Sequence, residues 1–309
     1  MSKNGLATRD LVPLVERAAA RHGISTPVDG LMLHRFDRPT EPLPFIQHPA
    51  YCVVLQGAKE AMVGREVVRY TAGQSLIAGV DLPITSRIVE ASPREPYLAI
   101  GVALDFGTVL ELSADQPHPP SPEGIAPFGV RPFDAHVADP LVRLVELIDR
   151  PQDVAVLAPL IHREIIWRLL ESPFSTLLRQ LAWPDGHIAR ICRATQWIRD
   201  NYAGTLRVAE LAERVNMSVP SFHRHFKKVT TVSPLQFQKR VRLHLARRRL
   251  LAAESVGLVA FDVGYESLSQ FNRDYRKLYG LAPTQDVGML RRELAGASAG
   301  THDAQAQRQ

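Results

Sequence analysis

The sequence predicts an α+β multidomain protein, with a β-barrel flanked by helices in its N-terminal part and an all-α C-terminal domain. Between residues 28 and 110, short runs of β-branched and aromatic residues alternate with turn signals. From residue 187 onward the apolar residues follow helical periodicity up to a small, polar tail. Charge divides the chain at the same place, because 187–283 carries 17 Lys and Arg against 7 Asp and Glu. We therefore predict domains at 1–182 and 187–290 and a disordered tail at 291–309.

Bulk properties limit the class of protein. A chain of 309 residues is long enough for two domains. No apolar run approaches the roughly 18 residues of a membrane span, and charged residues interrupt the N-terminus where a signal peptide would be apolar, so we expect a cytoplasmic protein without a membrane partner. Cys52 and Cys192 are too few for a four-thiolate metal site or a disulfide framework.

The N-terminal part contains several distinct segments. An amphipathic helix is predicted over Leu11–Ala20, ended by His22 and Gly23, and two further apolar helix faces are predicted. The proline-rich segment 115–132 is predicted to be a loop and the tetrapeptide 183–186 a linker. The two helix faces could pack on their own domain or join two subunits, so a homodimer is possible. Their members are Leu141, Leu144, Val145 and Ile148, then Leu157, Ile161, Ile165 and Leu169.

An internal repeat dominates the C-terminal part. Residues 222–234 and 271–283 share the order aromatic, any residue, Arg, any residue, aromatic, two basic residues, then five residues and Pro, at an offset of 49. Each copy follows a short apolar helix that ends at Asn216 or Gly264, both suited to a left-handed C-cap. Ser residues at 218 and 267 stand where an N-cap would begin the next helix. Helix, tight turn and helix form the helix-turn-helix motif.

Periodicity separates a buried face from an exposed face in each copy. The aromatic residues recur at i and i+4 and are predicted to be core. Polar and basic residues occupy another face, where Arg can bond guanine, Asn can bond adenine and Lys can meet phosphates. We therefore expect double-stranded DNA as the partner. The candidate contacts are Pro220, His223, Arg224, Lys227 and Lys228 in the first copy, and Ser269, Asn272, Arg273, Arg276 and Lys277 in the second.

A helix over Leu235–Leu250 would separate the two copies. Its length would be about 24 Å, which could hold two recognition helices about one DNA turn apart. The two copies carry different candidate readers. A single chain should therefore read an asymmetric site in two adjacent major grooves.

The repeat, the connecting helix and the prolines at Pro234 and Pro283 resemble the AraC/XylS transcription regulators. The resemblance covers about 187–283 and implies sequence-specific regulation of transcription, with RNA polymerase as a further partner. Thr231 is a departure, because the family usually has Gly there, as this chain has at Gly280.

The N-terminal half more weakly resembles the regulatory domain of an AraC subgroup, through 52–59, 80–83 and 96–98. This resemblance implies a cupin-like barrel and a small-molecule effector, with aldehydes or other electrophiles as candidates. Cys52 would be a sensing thiol, with His48, Tyr51 or Lys59 nearby. A buried, inert cysteine and a reversible ligand are the alternatives.

Two other classes of protein were weighed. A cupin metalloenzyme would hold its metal through a close His pair, but no His-x-His occurs in 28–110, and His223 and His225 would point to different sides of a helix. There is also no phosphate loop or nucleophile elbow, so we expect no enzyme activity, metal or cofactor. A non-specific nucleic-acid architectural protein would show steep salt dependence and little sequence preference.

Overall fold

The structure is a computed structural model that describes residues 3–24, 26–114, 128–183, 186–252 and 254–292. Most of the predicted proline-rich loop, the centre of the predicted linker and the tail from 293 lie outside the described residues. The fold class predicted from the sequence is confirmed: a sheet-rich N-terminal region precedes a helical C-terminal region.

In the part of the chain that the structure describes, nine antiparallel strands form two sheets that face each other. The first sheet has the order β1-β8-β3-β6-β9 and the second β2-β7-β4-β5. Every strand predicted from an apolar run is present, within β3, β5, β6 or β8. The strands are β1 Leu31–Phe36, β2 Leu43–Gln47, β3 Ala50–Gln56, β4 Ala58–Val63, β5 Glu66–Thr71, β6 Gln74–Ala78, β7 Leu82–Glu90, β8 Tyr97–Ala103 and β9 Phe128–Pro132.

Alternation along the strands decides which side chains face the interior. On β4, Lys59 and Ala61 face inward, whereas Glu60 faces outward, where its carboxylate accepts from Arg87 at 2.8 Å. Register extends this assignment to the neighbours, because Lys59 pairs with Tyr70 on β5. Paired residues share a face of the sheet.

Two sequence predictions for this region were wrong. The proline-rich loop 115–132 includes β9, which pairs with β6; Phe128 stands opposite Ala78. A proline at the last strand position costs no internal ladder bond, so its presence did not exclude a strand. Helix α2, Phe106–Leu112, overlaps the end of the segment 28–110 predicted as strands, and Asp105 caps its first amide groups.

Helices cover the outer face of the first sheet. They are α1 Lys3–His22, α3 Ala138–Glu146, α4 Pro151–Leu170 and α5 Ser175–Ala182. The predicted helix at 11–20 is confirmed, with Leu11, Val15 and Ala19 buried and Gly23 at a φ of 65° after its end. Leu157 of the second predicted helix face lines an open depression between α3 and α4 and is 39 % exposed, whereas Ile161, Ile165 and Leu169 of the same face are buried.

The C-terminal region consists of seven helices among the described residues. They are α6 His187–Asp200, α7 Val208–Arg214, α8 Val219–Thr230, α9 Pro234–Leu251, α10 Val256–Asp262, α11 Leu268–Tyr279 and α12 over 283–292. The predicted connecting helix is confirmed as α9. The predicted tail starts too early, because residues 291 and 292 continue α12, and Arg291 donates to the carbonyl groups of Leu250 and Leu251.

The apolar core does not break at the predicted domain boundary. One cluster of buried residues runs from Leu11 through the barrel and the helices α6 to α8 to Val241. A second, separate cluster spans Leu243 to Val287. The first helix-turn-helix unit is therefore built into the same core as the barrel, and the second unit has a core of its own. Helix α9 contributes residues to both clusters.

Candidate nucleic-acid interface and effector site

The first helix-turn-helix unit is formed by α7 and α8. Asn216 ends the first helix in the left-handed conformation with a φ of 54°, as its residue type predicted. Phe222 and Phe226 are fully buried with ring centroids 5.3 Å apart, and Phe226 packs edge-on against Phe237 of α9. Ser218 is the N-cap of α8 by backbone geometry, although its side chain makes no capping hydrogen bond.

The second unit, formed by α10 and α11, repeats this construction. Gly264 has a φ of 93°, and Ser267 caps α11 by accepting from the amide of Gln270 at 3.2 Å. Phe271 and Tyr275 take the places of the two buried phenylalanines. The turn of the second unit has one more residue between the left-handed residue and the N-cap, as the change in offset predicted.

The faces of α8 and α11 opposite these aromatics carry the predicted DNA contacts. All ten predicted residues are exposed except Asn272, which is half-buried. On α11 the five residues border one shallow concavity of about 560 Å³. The structure thus brings together the candidates of the second unit on one surface: Ser269, Asn272, Arg273, Arg276 and Lys277.

A guanidinium group joins the two units, which the sequence did not predict. Arg242 of α9 donates to the carbonyls of Tyr202 at 2.7 Å and Gly264 at 2.8 Å. It thereby ties the loop after α6 to the turn of the second unit. Gly264 is required there for a second reason, because a Cβ at this position would lie 2.3 Å from the carbonyl oxygen of Ala203. The separation of the two recognition helices therefore depends on this contact as well as on the length of α9.

Thr231 ends α8 with a φ of 66°, a conformation that costs a β-branched residue about 1–2 kcal/mol. Replacing Thr231 by Gly should raise the urea midpoint of the full chain, with a gain of about 0.5–1 kcal/mol after the added chain entropy of Gly. Gly280 has a φ of 80° at the equivalent place. The reciprocal change Gly280→Thr should lower the midpoint, and a fall for Thr231→Gly would contradict the argument.

The four predicted effector residues are divided between three places. Cys52 and Lys59 lie on the inner faces of opposite sheets, and Lys59 is close enough to lower the pKa of the thiol. Tyr51 faces the other way, where its ring packs edge-on against Phe174 at 6.1 Å. His48 lies at the contact between the barrel and α6. Of the four, only Cys52 and Lys59 share the interior of the barrel, because neighbours on a strand face opposite sides of a sheet.

Burial raises the pKa of Cys52 to about 11, and Lys59 offsets only part of that increase. The thiol is therefore protonated near neutral pH. Because the thiolate is the nucleophile, this environment does not favour an electrophile-sensing cysteine. Cys192 on α6 has a similar state, since burial raises its pKa to about 12.

An ionic cluster connects the barrel to α6, the helix that precedes the first helix-turn-helix unit. Asp81 is buried in the loop before β7, and its Oδ1 lies 2.6 Å from Nδ1 of His48. Arg199 of α6 donates to the same oxygen at 3.1 Å. Helices α9 and α11 also contact β2. Sequence reasoning missed Asp81 and Arg199, although Asp81 lies in the stretch 80–83 that carried the resemblance.

The described residues contain neither a candidate metal-binding cluster nor a helix suited to a membrane. In that part of the chain, no three His, Cys, Asp or Glu side chains are grouped so that they could hold a metal ion. None of the described helices has the length and apolar character needed to cross a bilayer.

Comparison with known families identifies the two parts of the chain. A model described as AraC-type transcriptional regulator N-terminus matches residues 27–176, and a model described as helix-turn-helix domain matches 211–287. The chain belongs to the AraC/XylS family of transcription regulators. Together the two matches cover more than half of the chain, and each match falls on one of the two regions described above.

Individual AraC/XylS relatives are distant. The transcriptional activator RhaS of Pectobacterium carotovorum is 31 % identical over 88 residues, 28 % of this chain and 32 % of RhaS. RhaS of Escherichia fergusonii is 27 % identical over 149 residues, 47 % of this chain and 51 % of that protein. The chain thus spans about a third to a half of the length of these curated relatives.

A solved structure confirms the fold over most of the chain. ToxT of Vibrio cholerae O395, bound to (E)-4-(8-methylnaphthalen-1-yl)but-3-enoic acid, superposes with a TM-score of 0.61. The match covers 84 % of this chain and 98 % of ToxT at 10 % sequence identity. At this identity the likeness concerns the fold alone.

Proposed function

We propose that this protein is a cytoplasmic, sequence-specific DNA-binding regulator whose barrel responds to a small molecule. The observation that carries the proposal is the repeated, exposed polar face of two recognition helices. His223 and Arg224 on α8 correspond to Asn272 and Arg273 on α11, and buried aromatics fix both helices from behind. Such a face matches the hydrogen-bonding groups of a major groove. RNA polymerase is the protein partner that regulation at a promoter requires.

The experiment selects binding sites from a pool of random duplexes with the full chain. The selected duplex is then tested in competition with random DNA. We expect enriched sequences with two different half-sites about one helical turn apart. An excess of random DNA should not displace the selected duplex. The affinity for this duplex should fall with salt concentration with a slope set by the number of phosphate contacts. No enrichment, together with a steep salt dependence, would support the architectural-protein alternative instead.

The barrel is proposed as the sensing part because it is joined to the DNA-binding part by a polar contact and a shared core. Asp81 and Arg199 span the two parts directly. A ligand between the sheets could change the position of the loop that carries Asp81 and so act on α6. The organic acid held by ToxT supports the view that this architecture accommodates small organic molecules. An electrophile captured by Cys52 is the less favoured form of this proposal, because the thiol is protonated.

A homodimer is proposed through α4. Val156, Leu160 and Trp167 form an exposed apolar stripe on this helix, with Val156 66 % and Leu160 61 % exposed. Apolar side chains at this helical spacing are typical of an interface between subunits.

The change Leu160→Glu tests the dimer. We expect light scattering to give twice the chain mass for the natural protein, and at least a tenfold weaker association for the variant, since a carboxylate would be buried in the interface. Val67→Glu is the matched control, because Val67 is equally exposed on β5, away from α4. Equal masses for the natural protein and Leu160→Glu would contradict this interface.

A further inference from the structure

The interior of the barrel contains a lysine without an acidic partner. Lys59 lies on the inner face of β4, and its Nζ is 5.5 Å from the ring centroid of Phe45. Within the described residues, no carboxylate lies within ion-pair distance of this amine. The nearest acid along β4, Glu60, faces outward and pairs with Arg69 and Arg87.

Two other cations of the described chain that lie away from solvent have polar partners. Arg247 has a carboxylate partner in Asp286, and Arg242 has four carbonyl oxygens. Burial lowers the pKa of Lys59. The lowered pKa means that the surrounding groups solvate the ammonium charge less well than water does. An unpaired buried charge is costly, and a ligand of opposite charge would remove that cost.

The remaining described groups of the interior are neutral or aromatic. Burial lowers the pKa of His34 to about 4, so the imidazole is uncharged at neutral pH, and Cys52 is a protonated thiol. Tyr70 and Tyr97 complete the surroundings, and burial raises the pKa of both phenols. Among these groups, only Lys59 can offer a positive charge.

Space remains between these side chains. His34, Cys52 and Lys59 lie deep between the sheets, yet each keeps part of its surface accessible. The lining is suited to an apolar body, with a single position for a negative charge.

We propose that the barrel binds a small organic carboxylate, with the carboxylate group on Lys59 and the apolar body among Phe45, Tyr70 and Tyr97. This inference rests on the proposed sensing role of the barrel and names the chemical class of its ligand. Tyrosine hydroxyl groups can donate further hydrogen bonds to the carboxylate. A polyhydroxylated sugar would need many more polar partners than this lining supplies.

The test uses the full chain and three matched pairs of probes: hexanoate with hexanol, benzoate with benzyl alcohol, and phenylacetate with phenylethanol. Ligand binding to the folded state should raise the thermal midpoint. We expect at least one carboxylate to bind and its alcohol partner not to bind. Lys59→Met should weaken binding of that carboxylate at least tenfold, and Lys59→Arg should retain most of the affinity. Met62→Ala, on the outer face of β4, should leave the affinity unchanged. Lys59→Gln repeats the test should the methionine variant fail to fold.

Three outcomes would overturn the inference. The first is equal binding of the carboxylate by the natural protein and by Lys59→Met. The second is binding of alcohols but of no carboxylate. The third is a covalent mass adduct with hexanal in the absence of hexanoate binding, which would support an electrophile sensor. Specific binding of the natural protein to the selected duplex, measured in parallel, separates the two proposals. If no ligand binds as expected but the duplex is still recognised, only the ligand inference has failed. If the duplex is not recognised specifically, the proposed function itself has failed.

Discussion

Replacing Asp286 by alanine is expected to unfold the second helix-turn-helix unit. Asp286 is 1 % exposed and accepts from Arg247 at 2.7 and 2.8 Å and from the Tyr275 hydroxyl at 2.7 Å. The alanine would leave the guanidinium buried without a counter-charge, which costs about 3–5 kcal/mol. Tyr279, whose ring lies 4.5 Å from that guanidinium, would not replace the lost charge. Such a loss is comparable to the whole stability of a small core.

Hydrogen exchange of the full chain would locate this effect. Because the second unit has a core of its own, amide protection should fall in α10 to α12, while α7 and α8 keep theirs. Glu254→Ala is the matched control, since it removes an exposed partner of Arg249 and should cost no more than about 1 kcal/mol. The paired change Arg247→Met with Asp286→Leu should recover most of the loss. A cost below about 1 kcal/mol for Asp286→Ala would contradict the argument.

Arg224→Ala and Arg273→Ala are expected to relax different halves of the selected DNA site. Each side chain is exposed on its recognition helix, at equivalent positions of the repeat. A bidentate contact with guanine contributes about 1–3 kcal/mol of discrimination, so each variant should lose about 5- to 150-fold in affinity for its own half-site. The loss should disappear on duplexes altered in that same half, where the contact is already absent, and should persist on duplexes altered in the other half.

Binding of duplexes mutated in one half or the other provides the measurement. Lys277→Ala is the control, because a phosphate contact should weaken all duplexes equally and reduce the salt slope by about 1. Uniform weakening by Arg224→Ala and Arg273→Ala would show that both side chains contact only phosphate. The rigid connection through Arg242 makes the two half-sites distinguishable, since it holds the second unit at one spacing from the first.

Local sequence patterns determined the repeat and its surfaces. The aromatic pairs at i and i+4 specified the buried faces of α8 and α11, and therefore also the exposed faces opposite. Asn216 and Gly264 specified left-handed turns, because few other residues adopt that conformation without strain. Short apolar runs bounded by turn signals likewise placed β3, β5, β6 and β8. Each of these features depends on residues within about one turn or one strand, so one sequence was sufficient.

Long-range pairing was decided only by the tertiary structure. Strand β9 is specified by its ladder with β6, more than fifty residues earlier, and not by its own proline-rich composition. The partnership of Arg247 with Asp286 and the clamp by Arg242 join residues that no local pattern relates. The interior of the barrel is the clearest case. Cys52, Lys59, Tyr51 and His48 formed one group of candidates in the sequence. In the structure only Cys52 and Lys59 lie face to face. Strand register decides this, because it sets which side chains point into the interior and which point away from it.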